Sequence, residues 1–450
     1  MHTKGKRSTH TATDARSDYE RRCLETLETA LGRTPIYESW KAFDPGSEHG
    51  VDIRYHSLPV LTKSDIRAHF PHGVVPRGLD LDAGLAAGEV TFVTTSGTAD
   101  EALENIWNQQ WWDASERASW KLNSIAARVA TGTHREAILA SALSVGPRSE
   151  SGPSDLEHRM LGRFLFLNEF STPLKWPERH EQRILDEIAE YQPAVLEANP
   201  SLLARLARFA WRTGAAVYQP PLITLTYEFP STLQLRAIRR VFRSPVASSY
   251  GSTEAGYVFM ECEQGRLHQN TEFCRVDLVS LSDGVESRTH VGRILVTTFG
   301  NQWFPLVRFD IGDIARIAPG PCPCGRDFGV TLSAIEGRLK SLCVAEDGRL
   351  VTHRELDEAL ACVDGLEQYR LVQEDLKHVR LDLIHEDGQW NRVARDATDI
   401  LHDLFGPGVH IALSKVDELL PERSGKFLLA KRNFSFGPGF APESTEAHHG

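Results

Sequence analysis

The stretch SYGSTEAG, residues 249–256, follows an apolar run and carries an unusual concentration of functional groups. It offers an aromatic ring, a flexible glycine, two hydroxyls and a carboxylate, which are Tyr250, Gly251, Ser252, Thr253 and Glu254. An aromatic ring can stack on a base, and a carboxylate can hold Mg²⁺, so the pattern favours a nucleotide site. The alternative is a tight turn followed by a helix cap, and the octapeptide alone does not decide between the two.

Four other stretches, on either side of this one in the sequence, contain groups that could bind the same nucleotide. Residues 94–98, TTSGT, end an apolar run and could wrap a phosphate with hydroxyls and backbone N–H groups. Residues 308–313, RFDIGD, place Asp313 after a glycine turn, where a carboxylate can accept both hydroxyls of a ribose. Residues 337–341 (GRLKS) and 424–427 (SGKF) each contain a lysine, a cation suited to an anionic transition state. Taken singly, each stretch is better explained as an ordinary loop or a solvated lysine.

The composition describes an ordinary globular protein and disfavours several classes. The chain has 450 residues, 41% of them hydrophobic and 25% charged, a length that suggests two or three domains. Its formal net charge of −11 argues against a nucleic-acid partner, which would normally require a basic surplus. The sequence contains no apolar run of membrane-spanning length and no signal-peptide core, so we expect a cytoplasmic protein with no membrane partner. Its seven cysteines do not resemble a disulfide framework.

Hydrophobic periodicity predicts where helices and strands lie. Ser17 and Glu20 have the spacing of a capping box, so we predict a helix that starts there, preceded by a flexible leader over residues 1–17. Asn199 before Pro200 predicts a second helix start. Short apolar runs predict buried strands at 90–95, 222–227, 246–250 and 292–298.

The order of these elements predicts the α/β fold class, with a large N-terminal domain over residues 18–339. After Arg338 the pattern changes. Predicted helices at 354–361 and 390–405 alternate with predicted strands near 379–383 and 409–416. We therefore predict a small α+β domain over residues 340–435 and a flexible tail over 436–450.

The five stretches occur in the order found in the adenylate-forming superfamily, and the set is far more specific than any one member. The chain resembles the acyl- and aryl-CoA synthetases, firefly luciferase and the adenylation domains of peptide synthetases. Residues 58–67, LPVLTKSDIR, and the segments 292–298 and 304–309 resemble the phenylacetate–CoA ligase branch in particular. The resemblance covers roughly residues 55–430 and implies a large multi-sheet N-terminal domain with a small mobile C-terminal domain.

Carried over residue by residue, the resemblance implies a phosphate and adenine site in the N-terminal domain. The ATP phosphates would be held by the hydroxyl-rich turn, which supplies Thr95, Ser96, Gly97 and Thr98. Tyr250 would stack on adenine, with Gly251 and Ser252 beside it. Thr253 would contact the α-phosphate, and Glu254 would hold Mg²⁺.

The resemblance also assigns roles to four later residues. Asp313 would hold the ribose hydroxyls, with Arg338 nearby. Lys340 would be the hinge about which the small domain turns. Lys426 would enter the site for the adenylation step.

Two departures from the family pattern stand out. The phosphate loop normally continues with threonine, glycine and lysine, but Ala99, Asp100 and Glu101 stand here, and two carboxylates should weaken the grip on pyrophosphate. The usual Tyr-Arg-Thr-Gly-Asp keeps only Gly312 and Asp313. A degenerate, non-catalytic nucleotide-binding relative is therefore an alternative to an active enzyme.

A metal site is predicted from thiols and one imidazole. Cys322 and Cys324 form a C-x-C knuckle in a turn-rich segment, and Cys262 is followed by His268 six residues on. Three thiolates and an imidazole would complete a tetrahedral Zn²⁺ site of a structural kind. The alternative is two independent surface turns with free cysteines. The resemblance favours zinc, because the branch carries a structural zinc with this ligand type at similar places.

The resemblance implies an AMP-forming ligase that uses ATP and Mg²⁺ to activate a small carboxylic acid. Coenzyme A is the family's commonest acceptor, while a carrier-protein thiol or an amine is chemically equivalent and stays open. An aromatic acid of the phenylacetate, aminobenzoate or hydroxybenzoate type is favoured. The resembling ligases are often dimers, so a homodimer is expected by analogy only.

Overall fold

The structure is a computed structural model that describes residues 9–95, 102–149, 152–281, 290–422 and 425–434. Its α-helices are α1 (Thr9–Arg33), α2 (Val51–Ser57), α3 (Lys63–His69), α4 (Leu81–Ala86), α5 (Gln109–Trp120), α6 (Ala126–Val129), α7 (His180–Tyr191), α8 (Pro200–Thr213), α9 (Thr232–Val241), α10 (His353–Leu360) and α11 (Trp390–Phe405). Short 3₁₀ helices lie at Pro35–Ala42, His72–Val74, Leu156–Arg159, Pro173–Lys175 and Leu339–Ser341. None of the helices in the described ranges is long and apolar enough to cross a membrane.

The strands are β1 (Thr91–Thr94), β2 (Glu104–Trp107), β3 (Glu136–Leu139), β4 (Met160–Leu161), β5 (Phe164–Phe166), β6 (Val195–Ala198), β7 (Leu222–Leu225), β8 (Val246–Ser252), β9 (Gly256–Glu261), β10 (Leu267–Gln269), β11 (Cys274–Val279), β12 (Val291–Thr298), β13 (Phe309–Ile317), β14 (Thr331–Arg338), β15 (Cys343–Val344), β16 (Leu350–Val351), β17 (Leu366–Gln373), β18 (His378–His385), β19 (His410–Lys415) and β20 (Ala430–Arg432). The predicted α/β class is confirmed by this mixture of helices and sheets. Strands appear at all four predicted apolar runs, as β1, β7, β8 and β12. Burial is confirmed for β7 and most of β12, whereas β8 is only partly buried and the expectation that β1 is buried is wrong, because its side chains are mostly exposed on a two-stranded hairpin.

Contacts divide the chain into two compact units. Unit 1 contains the described residues of Met1–Ser124, Tyr250–Ile311 and Ile317–Ser333. Unit 2 contains the described residues of Ile125–Ser249, Gly312–Arg316 and Ala334–Gly450. These two units do not coincide with the two domains predicted to meet at residues 339 and 340, since unit 2 also contains residues 125–249. The domain boundary stays a prediction.

Unit 1 is built from helices and antiparallel strand pairs. β1 pairs with β2, β11 pairs with β12, and β10 pairs with β9 on one side and with the start of β14 on the other. The antiparallel register places His268 of β10 opposite Met260 of β9 and Thr331 of β14. This register matters for the cysteine–histidine cluster, because it fixes which way His268 faces.

The predicted helix start at Ser17 is wrong. Helix α1 begins at Thr9, so Ser17 lies within it. Glu20 pairs with Arg16, at 3.5 Å, rather than folding back on the backbone of Ser17. Asp18 accepts a hydrogen bond from Arg22 at 2.7 Å, and such pairs at helical spacing extend the helix through the expected cap.

Unit 2 contains a parallel sheet in the order β5-β3-β6-β7-β8, with the short β4 antiparallel to β5. Helix α8 connects β6 to β7 and begins as predicted, because the Asn199 side chain accepts from the backbone N–H groups of Ser201 and Leu202. Its apolar face buries Leu203 and Leu206 against the sheet. Parallel strands joined by helices of this kind leave functional loops at the carboxyl ends of the strands.

The C-terminal part of unit 2 is an α+β fold. Its sheet has the order β19-β18-β17-β20, and the predicted helix at 390–405 is α11 with the same bounds. Leu233 of α9 belongs to the hydrophobic cluster of this part. The buried carboxylate of Asp357 on α10 accepts two hydrogen bonds from Thr232, one from the backbone N–H and one from the hydroxyl, both at 2.7 Å. The C-terminal segment is thus fastened to the start of α9.

Candidate functional site

The SYGSTEAG stretch forms the end of β8 and the turn into β9. Ser252 holds the turn, since its hydroxyl and carbonyl oxygens both accept from the N–H of Ala255 at 3.2 Å. Gly251 is required by space: a Cβ there would lie 2.1 Å from the carbonyl oxygen of Gly256. The turn therefore presents Thr253 and Glu254 at the strand end, as the sequence predicts. The alternative interpretation, a turn followed by a helix cap, is wrong about the cap, because the strand β9 follows the turn.

Glu254 lies against a lysine that sequence reasoning did not include in the site. Its carboxylate is 4% exposed, and Oε1 lies 3.5 Å from Nζ of Lys63. Lys63 is the first residue of α3, placed there by a capping box in which Thr62 and Asp65 bond each other's backbone. The ammonium compensates the buried carboxylate, which would be costly to bury alone.

Two further residues of the predicted ATP site lie in unit 1. The ring of Tyr250 is partly exposed and packs 6.0 Å from the ring of Phe259. Thr95 closes the described end of the β1–β2 hairpin, since its Oγ1 accepts from the N–H of Leu103 at 2.9 Å. The other predicted phosphate ligands, together with the acidic departure that follows them, lie outside the described residues: Ser96, Gly97, Thr98, Ala99, Asp100 and Glu101.

Asp313 and Arg338 lie together in unit 2. Arg338 donates from Nε to Oδ1 of Asp313 at 3.2 Å, and the carboxylate is mostly buried. A second ion pair on the same two strands, Arg316 with Glu336 at 2.6 Å, lies beside it. The expected turn at Gly312 is wrong, because Gly312 and Asp313 lie within β13. The carboxylate assigned to ribose is held there by the guanidinium of Arg338.

The junction after β14 is packed tightly around a glycine. Gly337 has a φ of +109°, and a Cβ there would lie 2.8 Å from the His353 ring. His353 is buried at the start of α10, and its Nε2 lies 3.2 Å from the carbonyl oxygen of Ser341. Burial lowers the pKa of His353, which keeps its ring neutral. Lys340 lies between these contacts, in the 3₁₀ helix Leu339–Ser341, and its side chain is outside the description.

Lys426 lies in a closed turn of unit 2. The N–H of Glu422 donates to the carbonyl oxygen of Lys426 at 2.8 Å, and the N–H of Gly425 donates back to Glu422 at 2.9 Å. Gly425 has a φ of +78°, and a Cβ there would lie 2.3 Å from Oγ of Ser141. The residue after the lysine, Phe427, donates its N–H to the carboxylate of Glu228 at 2.7 Å.

The four predicted metal ligands lie together in unit 1. Cys262, His268, Cys322 and Cys324 bring their ligand atoms within 4.8 Å of one another. The two sulfurs of Cys262 and Cys322 are 3.7 Å apart, and Nε2 of His268 is 3.3 Å from the sulfur of Cys324. Zn–S bonds of about 2.3 Å and Zn–N bonds of about 2.0 Å at tetrahedral angles give separations of about 3.5–3.8 Å. The cluster therefore fits a tetrahedral zinc ion.

A neighbouring hydroxyl sets the orientation of the histidine in this cluster. Nδ1 of His268 lies 3.2 Å from Oγ1 of Thr331, its register partner on β14. The other ring nitrogen, Nε2, then faces the thiols. Burial lowers the pKa of His268, so the ring is neutral and Nε2 can act as a ligand. The two cysteine-bearing segments do meet, which the sequence alone left open.

Solved structures with known ligands share this architecture. 2-Hydroxyisobutyryl-CoA ligase, solved in the postadenylation state with an acyl-AMP bound, superposes with a TM-score of 0.70 at 15% identity, over 92% of this chain and 88% of that one. The chain has the acyl-CoA ligase fold. An anthranilate CoA ligase in complex with anthranoyl-AMP shares the ligase fold with a TM-score of 0.52 at 13% identity, over 75% of this chain and 64% of that one.

Two other comparisons bear on the ligase fold. An amide bond synthetase from Marinactinospora thermotolerans superposes with a TM-score of 0.50 at 15% identity, over 78% of this chain and 70% of its own. The model of the CapK C-terminal domain matches residues 343–433. No curated protein matches the chain. These comparisons establish the architecture and leave the reaction to be argued from the residues.

Sequence reasoning missed two residues that contact predicted site residues or their neighbours, Lys63 beside Glu254 and Glu228 beside Phe427. Lys63 was noted only as part of the resemblance at 58–67, and Glu228 was not noted at all. The capping-box spacing of Thr62 and Asp65 could have indicated that Lys63 starts a helix. The sequence contains no local signal that Glu228 lies beside a loop almost two hundred residues later.

Proposed function

We propose that the protein is an ATP-dependent ligase that converts a small carboxylic acid into an acyl-adenylate, with release of pyrophosphate. The observation that supports the proposal is that a chain with the fold of a CoA ligase carries Glu254, Asp313 and Lys426, to which the family resemblance assigns roles in ATP binding and adenylation. Each is held by specific contacts, to Lys63, to Arg338 and through the neighbouring Phe427. A protein that does not bind or react with a nucleotide would not require Glu254, Asp313 and Lys426 together.

In the proposed first step, an oxygen of the substrate carboxylate attacks the α-phosphorus of ATP. A new C–O–P linkage forms as the bond to the β-phosphate bridging oxygen breaks, and that oxygen leaves with pyrophosphate. Asp313 binds the ribose hydroxyls and Tyr250 stacks on adenine, while Thr253 and Thr95–Thr98 bind phosphate oxygens. Lys426 brings an ammonium to the oxygens on which negative charge grows.

Two metal ions are part of the proposal. Glu254, with Lys63 beside it, would hold Mg²⁺, which supplies positive charge for the phosphate oxygens of ATP. Cys262, His268, Cys322 and Cys324 would hold Zn²⁺ in a closed site, where it stabilises unit 1 and takes no part in the reaction. The thiol and imidazole separations support a structural zinc, because four protein ligands leave no open coordination position.

In the proposed second step, a thiolate attacks the acyl carbon and AMP leaves with the bonding electrons of the C–O bond. We propose coenzyme A as the acceptor on the strength of the family resemblance, with a carrier-protein thiol or an amine as the alternatives. The small domain turns about Lys340 between the two steps, withdrawing Lys426 and admitting the acceptor. Domain steps of this kind often limit turnover.

The proposed acid is aromatic, of the phenylacetate, aminobenzoate or hydroxybenzoate type. This part rests on the resemblance to the phenylacetate–CoA ligase branch. The named substrates of the structural neighbours include both a hydroxy acid and anthranilate, so the fold is compatible with an aromatic acid without requiring one. We further propose a cytoplasmic enzyme, as a homodimer, without nucleic-acid or membrane partners.

The experiment that tests the proposal is product analysis by mass spectrometry. Purified protein is incubated with ATP, Mg²⁺ and a panel of aromatic and hydroxy acids, with and without coenzyme A, beside Lys426→Ala. AMP and an acyl-CoA from the wild type alone support the ligase and identify the acid. An acyl-adenylate without thioester supports the first step and moves the acceptor to a carrier protein or an amine.

The departure at Ala99, Asp100 and Glu101 favours one rival, a degenerate nucleotide-binding relative without catalysis. That rival predicts ATP binding by calorimetry with no AMP from any acid. It also predicts that Lys426→Ala changes nothing measurable. AMP formation by the wild type that Lys426→Ala abolishes would exclude it.

A further inference from the structure

The carboxylate of Glu228 bridges two distant parts of unit 2. Its Oε1 accepts from the backbone N–H of Ser201 at 2.9 Å, and its Oε2 accepts from Nδ2 of Asn199 at 3.2 Å. The same Oε2 accepts from the backbone N–H of Phe427 at 2.7 Å. One side chain therefore joins the N-terminus of α8 to the loop that carries Lys426.

Lys426 lies immediately before the bonded amide, at about 3.8 Å from Cα to Cα. On its other side, the close approach of Gly425 to Ser141 leaves room only for a glycine. Backbone hydrogen bonds join Glu422 to Gly425 and to Lys426. On the carboxyl side of the lysine, the amide of Phe427 donates to Glu228, and the Phe427 ring is buried beneath the guanidinium of Arg370.

The direction of the Glu228 side chain depends on the backbone conformation of the preceding residue, Tyr227. Tyr227 has a φ of +76°, a conformation that a residue with a bulky side chain adopts only under constraint. The hydroxyl of Tyr227 donates to the buried carboxylate of Glu197 on β6, which supplies that constraint. Strain of this kind is retained at positions where a side chain must point in a direction the relaxed backbone would not give.

We propose that Glu228 is a positioning residue for Lys426, acting as a latch on the amide of Phe427. When the latch is closed, the lysine loop is held where the proposed adenylation step needs it. When the loop leaves, Glu228 keeps its hydrogen bonds from Ser201 and Asn199. Opening therefore does not leave the carboxylate without hydrogen-bond donors, and the latch can close again. The link to adenylation rests on the proposed function, whereas the latch itself does not.

The latch is tested first by a measurement that needs no enzymatic activity. Trypsin cleaves after Lys426, at the peptide bond whose own N–H is the latched amide of Phe427. Glu228→Gln removes the charge and one of the two acceptor oxygens that the donors of Ser201, Asn199 and Phe427 share. We therefore expect it to accelerate cleavage at that bond by about 10- to 100-fold, the range for a hydrogen bond to a charged group. Cleavage after Lys431, on β20, serves as the internal reference in the same digest, read by mass spectrometry.

The matched control is Asn199→Ser, which removes the amide contact to Glu228 but keeps a capping hydroxyl and the Phe427 bond. It should leave cleavage after Lys426 unchanged. Equal cleavage in Glu228→Gln and the wild type would overturn the latch. If Glu228→Gln fails to fold, hydrogen–deuterium exchange of the wild type decides: a Phe427 amide that exchanges as fast as an unstructured peptide overturns the proposal, and a protected one supports it.

The link to Lys426 is tested by ATP–pyrophosphate exchange in a double-mutant cycle. Glu228→Gln should lower kcat by about tenfold with little change in KM for ATP, and should have no further effect in a Lys426→Ala background. Additive losses would mean that Glu228 acts through something other than the lysine, and would overturn the positioning role. An inactive wild type whose digest still responds to Glu228→Gln would reject the proposed function and leave the latch standing.

Discussion

Nζ of Lys63 lies 3.5 Å from Oε1 of Glu254, and the two residues come from segments far apart in the sequence. The carboxylate is almost fully buried, while the lysine side chain is one-quarter exposed. Of the two groups, the lysine is therefore the one that solvent reaches. This arrangement assigns Lys63 a role before any ligand binds. It balances the charge of a carboxylate that the fold has removed from solvent.

Lys63→Met should destabilise the protein, because it leaves Glu254 buried without a partner. Breaking a fully buried pair costs about 3–5 kcal/mol, and the partial exposure of Lys63 reduces the expected loss to about 1–2 kcal/mol. Thermal unfolding without nucleotide measures the change. A Lys63→Met/Glu254→Gln double variant should recover most of it, and a double variant as unstable as the single would show that the two charges are not coupled.

Asp313→Asn should raise KM for ATP in the exchange assay by about tenfold, since the carboxylate proposed to accept two ribose hydroxyls is replaced by an amide that accepts fewer hydrogen bonds. Asp310→Asn is the matched control from the same RFDIGD stretch. Asp310 is paired with Arg293 at 2.5 Å and has no assigned part in ATP binding. Similar KM values in the two variants would count against the ribose assignment.

Metal analysis of the purified protein should find about one zinc ion per chain. Cys324→Ser should lose the metal and unfold at a lower temperature, because the ion joins two segments of unit 1. Cys362→Ser is the control, since Cys362 is exposed and lies outside the cluster. A wild-type protein purified without chelators that contains no zinc would refute the site.

The stability of the protein should depend on pH through Glu197. Burial raises the pKa of Glu197 from its usual value to about 7, with the charge of Glu136 adding to the effect. Because the folded-state pKa is the higher one, the folded state holds the proton more tightly. The stabilisation is fully present below the unfolded pKa and is lost as the pH rises through about 7.

Glu197→Gln should therefore raise the free energy of unfolding at pH 8, by about 1–3 kcal/mol, and by progressively less toward pH 5. The glutamine oxygen can still accept from the Tyr227 hydroxyl, so the test removes the charge and keeps the contact. Urea denaturation at pH 5, 6, 7 and 8 provides the comparison. A gain that stayed constant across this range would show that ionisation of Glu197 is not its cause.

Lys426→Ala should lower the rate of ATP–pyrophosphate exchange by about 10²- to 10³-fold, the usual cost of removing a preorganised cation from a charged transition state. Lys431→Ala is the control. Lys431 lies on β20, pairs with Glu422 at 3.3 Å and has no assigned role in the reaction. An exchange rate in Lys426→Ala within a factor of about two of the wild type would remove the lysine from the mechanism.

Much of the architecture could be predicted because its signals are local. Asn199 before Pro200 marks a helix start, and the run at 246–250 marks a buried strand, since caps and apolar runs act through neighbours in sequence. Ser17 misled for the same reason. The spacing of Ser17 to Glu20 fits a cap. Helix α1 nevertheless begins eight residues earlier, at Thr9, and ion pairs such as that between Arg16 and Glu20 stabilise it through this position.

The candidate site was predictable only where several stretches had to act together. Thr253 and Glu254 follow β8, and Asp313 lies within β13; only the order of their stretches along the chain is distinctive. The pairing of Cys262 with Cys322 needed the sheet register that sets β10 against β9 and β14. The contact between Glu228 and Phe427 depends on tertiary packing alone, and periodicity or spacing in one sequence contains no information about it.

The two hydrogen bonds from Thr232 to Asp357 have a consequence for the timing of the reaction. If the C-terminal segment turns between half-reactions as proposed, this carboxylate must give up both bonds and take on water before the segment can move. The lifetime of the docked arrangement would then depend on Asp357 together with the packing of Leu233 and the contact between Glu228 and Phe427. A substitution at Asp357 would change the rate of the proposed domain step without altering any residue proposed to bind ATP.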